Sequence, residues 1–259
     1  MRNLLHRPLR LSLLAATLFG LLASALSSQD KGPVRFSERL IADKYGYTFG
    51  LAAHDLDRDG DLDLTNVDIR GKNPSSASLL WFENDGRGVF RRHVIHENEN
   101  GWLERHAVGD INGDGRADVA VVSNRDGLLL WFPGPEKPAV GPWKRFVITT
   151  NCKAAYDVVL ADLDGDGDLD AASAGYVSHT VAWFENPGPK GWDREWTRRV
   201  IGDKLTENRT IRLGDFNRDG KIDLLAASVG VLVQRLLRCN DGAENGRHSR
   251  RIPRFFLIR

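Results

Sequence analysis

Cysteine is scarce in this 259-residue chain: there are two, Cys152 and Cys239, 87 residues apart. Two such residues form no disulfide framework, which excludes a small cystine-stapled fold and leaves stability to core burial, with their pairing open. Sustained helical periodicity is also missing, which excludes a helical bundle or an alternating α/β sheet. Long apolar runs are confined to Leu11–Leu22, preceded by Arg2, Arg7 and Arg10 and followed by Ala23-Ser24-Ala25. A basic start, a short apolar stretch and a small-residue cleavage site read as a secretory signal peptide over residues 1–25. The run is shorter than the roughly 20 residues a spanning helix needs, and no cysteine follows it for lipid attachment. The expectation is a chain secreted, periplasmic or displayed at the cell surface, with no membrane span after cleavage.

A large charge of one sign is absent overall, but the formal +1 conceals an asymmetry. Residues 26–230 carry 26 Lys and Arg against 33 Asp and Glu, a net charge of −7, while residues 231–259 form a divergent basic tail. An acidic body argues against a nucleic-acid partner.

What the sequence does contain is a repeat. DLDRDGDLD starts at Asp55, DINGDGRAD at Asp110, DLDGDGDLD at Asp162 and DFNRDGKID at Asp215, at spacings of 55, 52 and 53 residues. LLWFEN, LLLWFP and TVAWFEN recur in phase around Trp81, Trp131 and Trp183, and FRRHVI, KRFVI and TRRVI close the units at Ile95, Ile148 and Ile201. Each unit reads as four short strands rich in β-branched and aromatic residues and broken by Gly, Pro and Asn. In the third unit these are Asp157–Ala161, Leu169–Ala174, Thr180–Phe184 and Trp196–Ile201. Radial repetition of four-stranded sheets leaves few exposed edges. The predicted fold is therefore all-β, a β-propeller of ~53-residue blades over residues 26–230, with about four units, the last degenerate. Pro33–Ile41 reads as the closing strand of a unit, as expected of a ring latched by both chain ends. After Gly230, Leu236-Leu237-Arg238 shadows Leu79-Leu80-Trp81 without its aromatics.

Concentrating carboxylates on one short turn is costly unless a cation neutralises them. Oxygens at loop positions 1, 3, 5 and 9, with the carbonyl of position 7, converge on one hard ion when Gly at position 6 permits the sharp turn. Oxygen-only donors in this number favour Ca2+, with Mg2+ second because it demands tighter octahedral geometry. The four candidate sites are Asp55, Asp57, Asp59, Asp61 and Asp63; Asp110, Asn112, Asp114, Arg116 and Asp118; Asp162, Asp164, Asp166, Asp168 and Asp170; and Asp215, Asn217, Asp219, Lys221 and Asp223. Asp61, Arg116, Asp168 and Lys221 contribute only main-chain oxygens, which fits their variety. EF-hands are excluded: position 12, a Glu in that motif, is Asn66, Val121, Ser173 or Ala226, between strands.

These turns resemble those of the FG-GAP and VCBS repeat families, which build β-propellers such as the integrin α-subunit head. The resemblance runs from Pro33 to about Gly230. Phe49-Gly50 matches the FG element, which the other three loops lack, and the GAP element survives only as Ala174-Gly175 and Val229-Gly230. The match is thus closer to the VCBS-like type. It implies calcium-stabilised blades in secreted or surface proteins, often serving adhesion or carbohydrate binding.

No catalytic set recurs. His54, His93, His96, His106 and His179 fall at unrelated places in the repeat, and the Trp and Phe of each WF pair hold a fixed phase that suits packing between blades. Asn208-Arg209-Thr210 is a glycosylation sequon. Residues just before each innermost strand face a propeller's funnel: Tyr45 and Tyr47; Trp102, Glu104 and Arg105; Lys153, Tyr156 and Asp157; Glu207, Asn208 and Arg209. Aromatic rings mixed with charge suit a carbohydrate or protein ligand. Two functions fit: a calcium-dependent binding or scaffold module, and the propeller portion of a carbohydrate-active enzyme. WFENPGP and TRRVI are similar to segments of aldos-2-ulose dehydratase-like proteins and some polysaccharide lyases; the dehydratase likeness implies cupin-type domains that these residues do not include.

Overall fold

A computed structural model describes residues 36–69, 77–203, 205, 207–228 and 236–238. The signal-peptide reading and most of the basic tail lie outside the described residues. Of the N-terminal unit, Met1–Leu40, the described residues 36–40 carry no strand. The strand expected over Pro33–Ile41 is therefore not formed by residues 36–41, and Pro33–Arg35 lie outside the described residues.

The second unit, Ile41–Arg259, is all-β, with no helix among the described residues. Its strands form four antiparallel sheets in chain order. Sheet 1 is β1 (Tyr47–His54), β2 (Asp63–Ile69), β3 (Ala77–Asn84) and β4 (Phe90–Glu99). Sheet 2 is β5 (Leu103–Gly109), β6 (Asp118–Ser123), β7 (Leu128–Phe132) and β8 (Phe146–Thr149). Sheet 3 is β9 (Ala155–Ala161), β10 (Asp170–Gly175), β11 (Thr180–Glu185) and β12 (Thr197–Gly202). Sheet 4 is β13 (Asn208–Gly214), β14 (Asp223–Ser228) and β15 (Leu236–Arg238). Each sheet is an up-and-down blade of the β-propeller type, and the first strands are neighbours: β1 lies beside β5, β5 beside β9 and β9 beside β13.

The WF pair joins the sheets. Successive side chains on a strand point to opposite faces, so each Trp serves the next sheet, and Phe132 and Phe184 serve the previous one. Trp81 and Phe132 share the core between sheets 1 and 2, and Trp131 and Phe184 share that between sheets 2 and 3. Trp183, half-buried, packs on the core between sheets 3 and 4. Strands held between two sheets read as continuous apolar or small runs: every residue of β6, DVAVVS, and of β10, DAASAG, is buried.

In sheet 4 the tail supplies a third strand. Leu224 pairs with Leu237 and Leu225 with Leu236, the places that Phe82 and Trp81 take opposite Leu64 and Thr65 in sheet 1. The FG element also has a structural reason. Gly50, at φ 68°, sits where the β1–β2 register shifts, and a Cβ there would lie 2.9 Å from His106 Nδ1. Only glycine accepts both the left-handed backbone and the imidazole against it.

Candidate functional site

The residues selected from sequence occupy opposite ends of the first strands. The acidic turns follow β1, β5, β9 and β13; the aromatic and charged residues precede or begin the same strands.

The four turns share one hydrogen-bond plan. The position 1 carboxylate accepts from the Gly N–H at position 6: Asp55 from Gly60 at 3.1 Å, Asp110 from Gly115 at 2.8 Å, Asp162 from Gly167 at 3.1 Å and Asp215 from Gly220 at 2.9 Å. The position 5 carboxylate accepts from position 7, as Asp59 does from Asp61 and Asp219 from Lys221. Position 4 is left-handed in every loop: Arg58, Gly113, Gly165 and Arg218 have φ of 64°, 70°, 85° and 61°. Sequence reasoning credited only the glycine at position 6; glycine at position 4 of loops two and three was the available signal.

Position 9 has a second role that the motif does not announce. Asp63, Asp118, Asp170 and Asp223 are buried. Asp63 accepts from Leu56 N–H at 3.0 Å with one oxygen and from Asn84 N–H at 2.8 Å with the other. Asp118 does the same with Ile111 and Gly134, and Asp170 with Leu163 and Asn186. Each of these three carboxylates ties its loop to the exit of the third strand, two residues past the Phe of the WF pair. In sheet 4, Asp223 holds Phe216 N–H.

These carboxylates are short of positive charge. Burial pushes the carboxyls of Asp118 and Asp170 up to about 7 and raises Asp63, and burial likewise raises Asp57 and Asp164, with neighbouring carboxylates adding to it. Asp55 Oδ1 is buried and has no hydrogen-bond partner. Ligand oxygens of Asp55, Asp57 and Asp63, and of Asp162, Asp164 and Asp166, lie within 4.8 Å of one another. An orphaned buried oxygen beside converging oxygen-only donors fits a hard divalent cation. Loop two differs: the Arg116 guanidinium sits on Asp114, so a protein cation already offsets part of its charge. In loop four Asn217 Nδ2 donates to Asp219 at 3.0 Å.

At the other end the structure sorts the predicted rim into groups. Tyr47 is exposed and lies 6.2 Å from Trp102, with Phe49 stacked beneath it. Tyr45 stands apart, edge-on to Phe82. Asp157 is buried, and its Oδ2 accepts from Ile211 N–H at 3.1 Å and Arg212 Nη1 at 2.8 Å, with Arg105 Nη1 at 3.6 Å. Arg105 Nη1 also donates to the Arg209 carbonyl at 2.6 Å and to Thr210 Oγ1 at 3.0 Å. The Arg209 guanidinium lies 5.4 Å from the Tyr156 ring and 4.6 Å from that of Tyr176. Glu104 is buried beside Arg105 and Arg209, and burial pushes its carboxyl up to about 7. Lys153 is exposed, and Glu207 N–H faces His179 Nδ1 at 3.4 Å. Asn208 is fully buried with its amide on the Leu205 carbonyl, so the sequon presents no accessible acceptor. Tyr176 and Arg212 were missed from sequence: one sits on the β10–β11 turn and the other inside a strand, away from the segment before each first strand.

A family model described as FG-GAP-like repeat matches residues 67–121, 110–173 and 162–226. The chain belongs to the FG-GAP-like repeat family. The second and third FG-GAP-like matches start on Asp110 and Asp162, the first residues of acidic turns, and each match ends in the second strand of a following sheet. No curated protein matches the chain. Among the described residues no helix is long and apolar enough to cross a membrane.

Proposed function

We propose that this chain is an exported, calcium-stabilised binding or scaffold module that takes a carbohydrate or protein ligand at the starting ends of its first strands. The observation that carries the reading is the division of labour along those strands. Oxygen donors suited to Ca2+ stand at one end, and Tyr47, Trp102 and the Arg105–Asp157–Arg212 network at the other. From Tyr156 to Asp162 is roughly 20 Å of extended chain, since a strand rises about 3.3 Å per residue. An ion in the turn therefore stiffens the blade without touching a ligand at the rim. When bound, Ca2+ supplies charge neutralisation to carboxylates that otherwise repel. The side chains of Asp55, Asp57 and Asp63, and of Asp162, Asp164 and Asp166, are the ones best placed to hold it.

The enzyme reading has one favourable residue, Glu104, whose raised carboxyl suits general acid–base work. Among the described residues no carboxylate or imidazole is hydrogen-bonded to it, so binding is the function the geometry supports better. The test is a glycan and peptide array probed with calcium-loaded protein, with Trp102→Ala as the rim variant and product analysis on the same preparation. Trp102 also packs on the core between sheets 1 and 2, so ligand capture lost in a Trp102→Ala protein that still folds and melts cooperatively supports the module. Turnover of a bound saccharide replaces it with the enzyme.

A further inference from the structure

The rim is richer in fixed guanidinium groups than in free ring faces. Three arginines converge there from two strands: Arg105 from β5, and Arg209 and Arg212 from β13. Arg105 and Arg212 are each held at one side only. Arg105 is pinned through Nη1, and Arg212 Nη1 is pinned by Asp157 and by the carbonyl of Ile211. Among the described residues, no hydrogen bond engages Nε or Nη2 of either one, and their side chains remain 41% and 58% exposed. A guanidinium has five donors in a planar fork, so both present unused donors to solvent in a set orientation.

The aromatic residues beside them are already engaged. Arg209 lies over both Tyr156 and Tyr176, and those two rings meet edge to face at 5.4 Å. The faces of Tyr156 and Tyr176 that a pyranose would stack on are thus occupied by a cation, which at this part of the rim favours an anionic ligand over a neutral sugar. The local carboxylates do not cancel the three arginines. Asp157 is buried and spent on two of them, and Glu207 stands near Arg209. Glu104 loses charge to burial.

We infer that the Arg105, Arg209 and Arg212 cluster is a docking site for an acidic protein segment, its Asp and Glu carboxylates received by the forks of Arg105 and Arg212. Planar guanidinium groups take carboxylates through paired N–H donors, a geometry that an ammonium does not reproduce. Arginine and tyrosine at the centre of a contact surface are also the residue types that carry protein recognition. The inference rests on the rim being the binding face, and it narrows the ligand from carbohydrate or protein to acidic polypeptide.

The test uses the full calcium-loaded chain and three probes read by fluorescence anisotropy: an oligoglutamate peptide, its oligoglutamine counterpart and an oligogalacturonate. Oligoglutamate should bind at least tenfold more tightly than either of the others. Arg212→Lys keeps the charge and removes the fork, and should weaken oligoglutamate at least tenfold; Arg105→Lys should act likewise, with circular dichroism confirming that both variants fold. Equal binding of oligoglutamate and oligoglutamine, stronger binding of oligogalacturonate, no binding of any probe, or indifference to both Lys variants overturns the inference. If oligogalacturonate binds and Trp102→Ala abolishes it, the rim reading survives and the acidic-peptide inference alone falls.

Discussion

Arg105 Nη1 in β5 donates at 2.6 Å to the backbone carbonyl of Arg209 in β13, spanning two sheets that are not consecutive in the chain. Between them Asp157, at the start of β9, receives Arg105, Arg212 and the N–H of Ile211. One buried carboxylate therefore joins three sheets through their first strands. Asp157→Ala leaves Ile211 N–H without its acceptor and two arginines without their counter-charge. The expected loss is about 1–3 kcal/mol of unfolding free energy, as for other buried polar groups that lose a partner. Urea unfolding of the calcium-loaded protein measures it, and an unchanged midpoint would show that the junction contributes nothing.

The WF pair predicts a graded response along the array. Trp131 is fully buried, with Phe146, Trp192 and Trp196 at ring distances of 5.0, 5.7 and 6.4 Å. Trp183 is half-buried and covered on one side by Arg199 at 5.5 Å. Replacing a large core aromatic with alanine costs about 3–5 kcal/mol, and less where the site is partly wet. Trp131→Ala should cost that much and Trp183→Ala distinctly less in the same denaturant series. Equal losses would mean that sheet 4 packs on sheet 3 as firmly as sheet 3 packs on sheet 2.

Much of this was legible in the sequence because the repeat is local. DxDxDG fixes a turn between strands a few residues away, and WF alternation sends neighbours to opposite faces, so the blades and their packing follow from short-range rules. The double duty of position 9 was not legible, because Asn84, Gly134 and Asn186 lie 16 to 21 residues downstream of their aspartates. The rim was legible in part. Position before a first strand located Arg105 and Arg209, but Asp157 carries the same positional signal and is buried by a partner 54 residues away in Ile211. Pro33–Ile41 has the apolar pattern of a closing strand, yet residues 36–41 form none, since pattern alone does not supply a partner edge.

His106 and Glu104, two residues apart on β5, give opposite pH dependence. His106 is buried against Thr65, Nε2 to Oγ1 at 2.7 Å, and burial holds its imidazole down to about 4 from 6.5. Between those values the unfolded chain takes up a proton that the fold refuses, so stability falls as pH drops from 6.5 towards 4. Glu104, raised from 4.5 to about 7, keeps its proton in the fold and loses it in the unfolded chain, so its contribution falls as pH rises from 4.5 to 7. Relative to the parent chain, His106→Gln should retain more stability on acidification below 6.5, and Glu104→Gln more on going from 4.5 to above 7. Melting curves across that range at fixed calcium decide it, because the loops are the same in all three proteins. Parallel curves for parent and variants would show that neither group is linked to folding.

Calcium should matter most where protein charge does least. Loops one and three carry five Asp each, while loops two and four carry three Asp and one Asn each. Loop two is further offset by Arg116 on Asp114, and loop one holds the unpartnered Asp55 oxygen. Affinity for this ion rises with the charge of its ligands, so loops one and three should fill first. A ligand at a hundredfold excess over its dissociation constant stabilises the fold by about 2.7 kcal/mol per site. A calcium chelator should then lower the melting temperature by many degrees, and Asp162→Ala should lower it more than Asp215→Ala when calcium is present. With chelator the two variants should converge, since the difference between them is held by the ion rather than by the turn. Identical melting of the parent chain with and without chelator would remove calcium from the account, and a larger loss for Asp215→Ala would reverse the ranking of the loops.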